Sequence, residues 1–169
     1  MEGKRLEEVI GEMLRERKLT IATAESCTGG LLSHRITNVP GSSKYFLGGV
    51  VAYSYDAKEH ILHVRHNTLY GFGAVSKETA IEMARGVRHL FDSDIGIGIT
   101  GIAGPGGGTP EKPVGLVYIS LSVPGHTWYR QHRWKGSRLE NKEQSAEAAL
   151  QMVLDYLEGN LAAEETESC

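Results

Sequence analysis

The chain has 169 residues, 40% of them hydrophobic and 23% charged, which is ordinary for a globular protein of one domain with a buried core. The formal net charge of −3 argues against general attraction to nucleic acid or to an anionic membrane, and no apolar run could span a bilayer or serve as a signal peptide. The two cysteines, Cys27 and Cys169, are more typical of a reducing cytoplasm than of a disulfide framework.

Hydrophobic periodicity predicts helices and strands that alternate along the chain. The predicted helices cover residues 3–17, 29–36, 56–64, 76–91 and 137–158. The predicted strands cover residues 19–24, 48–54, 93–100, 114–122 and 127–134, and the last two should form an antiparallel pair. Asp56 and Ser76 are the expected helix caps, and the segment between the two helices that they begin is expected to be irregular.

This alternation predicts an α/β fold, a three-layer α/β/α sandwich with a mixed, mostly parallel sheet. We expect one domain over residues 1–160 and an acidic, disordered tail over residues 161–169. Three predicted strands end in polar or glycine-rich turns, at Ser26, Ser54 and Thr100. Because ligands bind outside the carboxyl ends of strands in open α/β sheets, these turns indicate where a site would form.

Two glycine-rich turns could bind a ligand through the backbone. Ser-Cys-Thr-Gly-Gly at residues 26–30 precedes a predicted helix, and its N–H groups and hydroxyls would suit an anion. A helix cap with a tight turn explains the same residues. The loop Gly-Ile-Ala-Gly-Pro-Gly-Gly-Gly at residues 101–108 would allow a ligand close to the backbone, or it is only a flexible connection.

Serines and a lysine without any histidine occur between residues 41 and 58, where the chain carries Ser42, Ser43, Tyr53 and Lys58. A serine hydroxyl needs a base before it can attack an amide, and a desolvated lysine can be that base. Lowering a lysine pKa from about 10.4 to near 7 requires about 4 to 5 kcal/mol, which burial and a neighbouring cation can supply. The alternative is a surface lysine beside ordinary turn serines.

Other residues offer rival chemistry. Cys27 stands at a predicted helix start, where a thiolate is stabilised, although a buried cysteine usually acts as a small hydrophobic residue. His60, His63 and His66 lie three apart, so a metal site is conceivable, but no third ligand has the expected spacing. A solvated helix face explains these histidines better.

Four motifs in order resemble the C-terminal domain of the CinA competence/damage-inducible family: TAESCTGG, VPGSSKYFLGGVVAYS, GAVSKETAIEMARG and TGIAGPGGGTPEKPVGLVYISL. The resemblance covers about residues 5–157. Active members of that family are nicotinamide mononucleotide (NMN) deamidases. The resemblance therefore implies an amidohydrolase of pyridine nucleotide recycling, which converts NMN to nicotinic acid mononucleotide and ammonia in a bacterial cytoplasm.

The resemblance also implies a Ser-Lys mechanism without metal or cofactor, and a homo-oligomer for which a dimer is the first expectation. The pyrophosphatase-type domain that precedes this one in longer family members is not found, so we expect a stand-alone deamidase domain. The alternatives are a non-catalytic nucleotide-binding module in competence or the DNA-damage response, and a hydrolase acting on another amide.

By resemblance, the family's nucleophile falls on Ser43, its acid/base lysine on Lys58 and the supporting tyrosine on Tyr53. Ser42 or Cys27 remains open as the nucleophile. Further catalytic positions fall on Ser26 and Thr100. Substrate-binding positions are expected at Thr28, Gly29, Gly30, Ser42, Gly101 and Arg138. We expect the phosphate at the helix that follows Ser-Cys-Thr-Gly-Gly, with Arg138 as a helper.

The sequence departs from the family pattern at Lys142, where a second arginine is often found. Lysine carries the same charge but lacks the bidentate fork of arginine.

Overall fold

The computed structural model describes residues 3–161 in full and residues 166–168 as backbone. Within that part of the chain, the helices are α1 (Leu6–Arg17), α2 (Leu31–Thr37), α3 (Tyr55–His60), α4 (His66–Gly71), α5 (Lys77–Phe91) and α6 (Arg138–Leu157). The strands are β1 (Ile21–Glu25), β2 (Phe46–Val51), β3 (Ile95–Gly101), β4 (Leu116–Val123), β5 (His126–Arg133) and β6 (Thr166–Ser168). A 3₁₀ turn, Ser42–Lys44, precedes β2.

The strands form one mixed sheet in the order β2-β1-β3-β4-β5-β6. The parallel part consists of β2, β1 and β3, and the remaining pairings are antiparallel. In the register, Glu25 pairs with Val51 on one side and with Ile99 on the other. The carboxyl ends of β1, β2 and β3 therefore meet at one edge of the sheet, as the sequence predicts.

Two hydrophobic clusters, one on each face of the sheet, make the fold a three-layer sandwich. On one face, α1, α2 and α6 bury residues such as Leu14, Leu32 and Leu150 against the strands. On the other face, α4 and α5 contribute Leu69 and Val87. The predicted α/β fold with helices on both faces is thus confirmed.

Glycines in β3 set the distance between α5 and the sheet. A Cβ atom added at Gly96 would lie 2.2 Å from the carbonyl oxygen of Ala84, and one at Gly98 would lie 2.5 Å from that of Ala80. Real side chains do not make such contacts, so glycine lets the helix pack directly on the strand. The many glycines of the sequence are therefore not confined to loops.

The segment after β2 differs from the prediction. Ser54, not Asp56, caps α3, because its side chain accepts the N–H of Ala57 at 3.0 Å. The stretch expected to be irregular contains the short helix α4. Six residues with one strongly buried leucine are too few to show helical periodicity. The predicted cap at Ser76 is confirmed, since Ser76 Oγ accepts the N–H of Thr79 at 3.1 Å.

The tail prediction is only partly covered by the structure. Residues 162–165 and residue 169 lie outside the described part of the chain, whereas Thr166–Ser168 form β6 and pair with β5. This strand differs from the disorder expected for residues 161–169. Cys169 also lies outside the described residues, and within them Cys27 is free and buried.

The described part of the chain contains neither a membrane-spanning helix nor a metal-binding cluster. In the described residues, no helix is both long enough and apolar enough to cross a bilayer. The same residues contain no cluster of three His, Cys, Asp or Glu side chains arranged to hold a metal ion. His60 and His66 are exposed and contact the carbonyl of Asp56 and the carboxylate of Glu59.

Candidate active site

Ser26 lies in a tight turn at the carboxyl end of β1. Its N–H continues the sheet by donating to the carbonyl of Ile99 at 3.0 Å. Its own carbonyl accepts the N–H of Gly29 at 3.1 Å, and Gly29 and Gly30 take positive φ angles of 60° and 102°. This conformation favours glycine and turns the chain into α2 within a few residues. Ser26 is only 7% exposed.

Lys58 reaches the same point from the neighbouring strand. The N–H of Ala52 donates to the carbonyl of Glu25 at 2.8 Å, which ties the end of β2 to β1. The cap at Ser54 then starts α3, which contains Lys58. From this helix the Lys58 side chain extends to the carboxyl end of β1, beside Ser26. The Lys58 side chain is 1% exposed. Its Nζ donates to Ser26 Oγ at 2.8 Å, to the carbonyl of Ala52 at 2.8 Å and to that of Tyr53 at 3.4 Å.

These three contacts define what the lysine can do. The two carbonyls can only accept hydrogen bonds, so in the uncharged amine they occupy both N–H donors. The lone pair then faces the hydroxyl of Ser26, which can donate to it. Burial lowers the pKa of Lys58 from its ordinary value of 10.5 to about 8. The geometry and the pKa together suit a base that removes a proton from Ser26.

The same burial acts in the opposite direction on the neighbouring thiol. Burial raises the pKa of Cys27 to about 12, so the side chain is a neutral thiol at physiological pH. Cys27 is 7% exposed and belongs to the hydrophobic cluster beneath α2 and α6. Because the thiolate is the nucleophilic form, these properties do not favour Cys27 as the nucleophile.

A cavity of about 270 Å³ opens above the Ser26–Lys58 pair. Its wall is formed by the ends of β1, β2 and β3, by the glycine-rich loop after β3, and by the start of α6. The predicted site residues that line it are Ser26, Tyr53, Lys58, Thr100, Gly101 and Arg138. The structure thus brings together six of the eleven predicted site residues, and with them Cys27, the alternative nucleophile.

The rim of this cavity is held by hydrogen bonds between distant segments. Arg138 donates to the carbonyl of Gly104 at 2.7 Å and to the hydroxyl of Tyr53 at 3.1 Å. Thr100 Oγ1 donates to the carbonyl of Ala74 at 2.7 Å. Arg138 therefore joins the glycine-rich loop to the end of β2, while Thr100 fixes the segment before α5.

Glu25 was not singled out in the sequence, yet it organises the turn. It is fully buried, and its carboxylate accepts from Thr28 Oγ1 at 2.7 Å, from the N–H groups of Leu32 and Ser33 at 2.9 and 3.0 Å, and from Ser33 Oγ at 2.7 Å. The positive end of α2 is therefore neutralised by the chain's own carboxylate. The expectation of a phosphate at this helix end is wrong, because Glu25 already occupies the position.

Ser42 and Ser43 lie at the opposite end of the strands, where the amino ends of β1 and β2 meet. Their turn precedes β2, and the carbonyl of Tyr45 accepts the N–H of Ile21 at 2.8 Å, at the first residue of β1. Ser26 follows the last residue of that strand, which at about 3.3 Å per residue puts roughly 16 Å between the two ends. The prediction that Lys58 activates Ser43 or Ser42 of its own chain is therefore wrong. Spacing along the sequence did not show which serine shares an edge with Lys58.

Three other expected binding residues play supporting parts. Thr28 is buried and bonded to Glu25. Gly29 and Gly30 shape the turn and do not line the cavity. Lys142 lies beside this turn, with its Nζ 3.6 Å from where a Cβ atom of Gly29 would stand, and it too is outside the cavity wall.

Comparison with known proteins agrees with the motifs. Among solved structures, the competence/damage inducible protein CihA from Agrobacterium tumefaciens is 37% identical with a TM-score of 0.84, over 92% of this chain and 97% of that chain. A CinA superfamily protein from Klebsiella pneumoniae is 32% identical with a TM-score of 0.88, over 91% of this chain and 96% of that chain.

Curated relatives are longer than this chain. A protein of Moorella thermoacetica whose name includes the words competence-damage inducible protein is 56% identical over 148 residues, which are 88% of this chain and 36% of its own length. A CinA-like protein of Thermotoga maritima is 50% identical over 156 residues, or 92% of this chain and 38% of its own length. The chain thus spans little more than a third of these relatives. Residues 3–157 match the family described as the CinA C-terminal domain, and the chain belongs to that family.

Proposed function

We propose that this chain is an amidohydrolase that converts NMN to nicotinic acid mononucleotide and ammonia, with Ser26 as nucleophile and Lys58 as general base. The observation that carries the proposal is the 2.8 Å contact between Lys58 Nζ and Ser26 Oγ at the floor of a cavity. A site that only binds a nucleotide gains nothing from a buried lysine whose pKa is lowered to about 8 beside a serine hydroxyl.

Acylation follows from this pair. Uncharged Lys58 takes the proton of Ser26 as Oγ attacks the carboxamide carbon, and the electrons of the carbonyl double bond move to oxygen. The Lys58 ammonium then gives its proton to the amide nitrogen. The carbon–nitrogen bond breaks, ammonia leaves and the nicotinoyl group remains as an ester on Ser26.

Deacylation uses the same groups in reverse. Water gives a proton to Lys58 and attacks the ester carbon, and the second tetrahedral intermediate expels Ser26 Oγ, which regains its proton from Lys58. The product is a carboxylic acid, which gives its remaining proton to solvent water and leaves as the carboxylate, and both side chains return to their starting states. No group outside the chain and water is needed for this balance.

The negative oxygen of the intermediate requires hydrogen-bond donors. In the described part of the chain, the backbone N–H groups of Cys27 and Thr28 donate to no backbone carbonyl, and that of Cys27 contacts only its own thiol. Cys27 directly follows the nucleophile and lines the cavity. The N–H of the residue after a nucleophilic serine is the donor that α/β-hydrolases use for this purpose, so we assign it the same task here.

Charge and volume support a mononucleotide substrate. Because Glu25 occupies the end of α2, the cation that remains at the cavity rim is Arg138, and it retains free N–H donors for a phosphate. The cavity of about 270 Å³ lies just below the volumes of about 300 to 1,000 Å³ typical of small-molecule sites. A single nucleotide therefore fits this site better than a dinucleotide.

The test is ammonia release from NMN and from nicotinamide riboside by the wild type and three variants. We expect release from NMN alone, and a loss of roughly a thousandfold or more in kcat for Ser26→Ala and for Lys58→Ala. Ser43→Ala is the matched control, and it should keep a kcat within about tenfold of the wild type. An active Ser26→Ala variant would overturn the assignment of the nucleophile, and an inactive wild type would overturn the proposed reaction.

A further inference from the structure

Two arginines of α5 lie over a pair of buried hydroxyl groups on the sheet. Arg85 Nε donates to Thr127 Oγ1 at 3.1 Å, and Arg88 Nε donates to Ser122 Oγ at 3.2 Å. Ser122 on β4 and Thr127 on β5 are cross-strand partners, both fully buried, with their hydroxyl oxygens 3.3 Å apart. Because they share this hydroxyl pair, the two guanidinium groups lie close together. None of the four residues lines the active-site cavity.

The charge of this arginine pair is not balanced. Both side chains are half-buried, yet no carboxylate of the described chain forms an ion pair with either of them. Two other half-buried arginines do have such partners, Arg35 with Glu7 at 2.8 Å and Arg130 with Asp155 at 2.7 Å. Charged groups removed from water usually face an opposite charge. The arginine pair of α5 therefore lacks the counter-ion that such groups require.

Hydrogen-bond donors also outnumber acceptors at this place. Arg85 Nη2 is buried and has no acceptor among the described residues. The hydroxyl of Ser122 accepts from Arg88 and from Thr127, and its own proton meets no acceptor within residues 3–161. The negative end of α5 favours basic residues, but neither guanidinium group donates to a backbone carbonyl of the described chain. Unused donors and positive charge thus occur together, and an oxyanion would satisfy both.

Phosphate suits this arrangement better than a carboxylate does. Both anions match the fork of a guanidinium group, but a phosphate monoester carries about 1.5 to 2 negative charges at pH 7, whereas a carboxylate carries one. Two adjacent guanidinium groups therefore favour phosphate. Arg85 and His89 also line a cavity of about 460 Å³ between α5 and the turn at residues 62–65. This cavity gives room for an organic group beside the arginine pair.

We infer that Arg85 and Arg88 bind the phosphate group of a small molecule, at a site separate from the cavity above Ser26 and Lys58. The ligand is inorganic phosphate itself or a phosphorylated compound whose organic part occupies the neighbouring cavity. The site uses no residue of the proposed active site, so it does not depend on the proposed reaction.

Binding is tested by isothermal titration calorimetry with inorganic phosphate and with ribose 5-phosphate, at constant ionic strength. All chains carry Arg138→Gln, which removes the cation at the rim of the active-site cavity and leaves the arginine pair in place. We expect one phosphate per chain. The affinity should fall at least about tenfold when Arg85→Gln or Arg88→Gln is added, because each substitution removes charge-assisted hydrogen bonds.

The matched control is Arg133→Gln, which removes the same charge from an exposed position of β5. This position lies about 20 Å along the strand from Thr127. Because salt screens charges at that distance, the affinity should stay within about threefold of the Arg138→Gln background. Absence of binding, equal losses for Arg133→Gln and Arg88→Gln, or formate binding as tightly as phosphate would overturn the site.

The two phosphate compounds distinguish the source of the ligand. Tighter binding of ribose 5-phosphate would show that the neighbouring cavity contributes and that the ligand is a phosphorylated compound. Tighter binding of inorganic phosphate would identify free phosphate as the ligand. Either result supports the arginine pair as the phosphate site.

Thermal unfolding gives a second measurement, in which altered packing of a variant does not matter. The quantity compared is the change in the unfolding midpoint when saturating inorganic phosphate is added. It should be at least about 2 °C for the background and for Arg133→Gln, and close to zero when Arg85→Gln or Arg88→Gln is present. The same increase in every chain would mean that the two arginines only pack between α5 and the sheet, and the inference would fail.

Discussion

Lys58 is the residue whose ionisation should control the rate. Its pKa is lowered to about 8, and only the uncharged amine can accept the Ser26 proton. The kcat/KM for NMN should therefore rise about tenfold per pH unit below pH 8 and level off above it. In the complex, the pyridinium ring disfavours a nearby ammonium, so the profile of kcat should show a lower pKa than that of kcat/KM.

Measurement of both pH–rate profiles checks this expectation. A kcat/KM profile that is flat through pH 8 would remove Lys58 as the base. Equal pKa values in the two profiles would leave Lys58 in place and remove only the effect of the pyridinium ring. Lys58→Arg is a useful companion, because arginine keeps the charge but does not ionise in this range.

Cys27 should be dispensable for the reaction although it touches the cavity. The raised pKa of about 12 keeps its thiol protonated, so it can neither attack the amide nor react quickly with alkylating reagents. We expect Cys27→Ala to keep kcat within about fivefold of the wild type and to lose some stability through poorer packing. Rapid inactivation by iodoacetamide at pH 8, prevented in Cys27→Ala, would contradict this expectation.

At the scale of elements, Glu25 connects β1 to α2 and so fixes the turn that carries Ser26. Glu25→Gln removes a charged acceptor and leaves the N–H of Ser33 facing an amide NH₂ group. We expect a loss of about 1 to 3 kcal/mol in the free energy of unfolding, together with a fall in kcat. Glu8→Gln makes the same change in the exposed cap of α1, and should cost less than about 1 kcal/mol without affecting kcat. Denaturant unfolding measures the stability of the two variants, and NMN kinetics measure their kcat. Equal effects of the two substitutions would contradict the role of Glu25.

The contact between α5 and β3 gives a second prediction at this scale. Gly98→Ala would place a Cβ atom 2.5 Å from the carbonyl of Ala80 and 2.8 Å from the N of Ala84, so helix and strand must separate. We expect a loss of about 1 to 3 kcal/mol, typical of overpacking. Gly71→Ala meets nothing within 4 Å and should change stability by less than about 1 kcal/mol. Equal thermal midpoints for the two variants would contradict the close packing of α5.

Elements with long periodic patterns could be predicted from the sequence, and short ones could not. The apolar stripes of α1, α5 and α6 and the cap at Ser76 are visible in the residues themselves. The sequence cannot fix the start of α3, because Ser54 and Asp56 are both good caps and only the hydrogen bond from the N–H of Ala57 to Ser54 distinguishes them. The sequence does not indicate the role of Glu25, because this residue caps a helix from the preceding strand, outside the usual positions for capping residues.

At the scale of the whole molecule, strand order decides which residues meet. The alternation of strands and helices predicts that the ends after β1, β2 and β3 share an edge, and Ser26, Lys58 and Thr100 do line one cavity. The choice between Ser26 and Ser43 needed the direction of β2, because Ser43 precedes that strand and Lys58 follows it. Whether β2 runs parallel or antiparallel to β1 is decided only in the assembled sheet, so no local sequence pattern shows it.

The buried Lys58 should also make the stability of the whole molecule depend on pH. Its pKa falls from 10.5 to about 8 on folding, so between these values the unfolded chain holds a proton that the folded chain lacks. Stability must then rise with pH across this range, and it is lowest below pH 8, where folding buries an ammonium. Between pH 7 and pH 10 the gain should be about 2 to 3 kcal/mol.

Other groups titrate over the same range, so the measurement is the difference between the wild type and Lys58→Met. Methionine fills a similar volume without a charge. Urea unfolding at pH 7 and at pH 10 should show the wild type gaining about 2 to 3 kcal/mol relative to the variant. Parallel stability curves would mean that Lys58 keeps an ordinary pKa in the folded chain. An amine that stays charged cannot take a proton from Ser26, so that result would remove the base from the proposed reaction independently of any kinetic measurement.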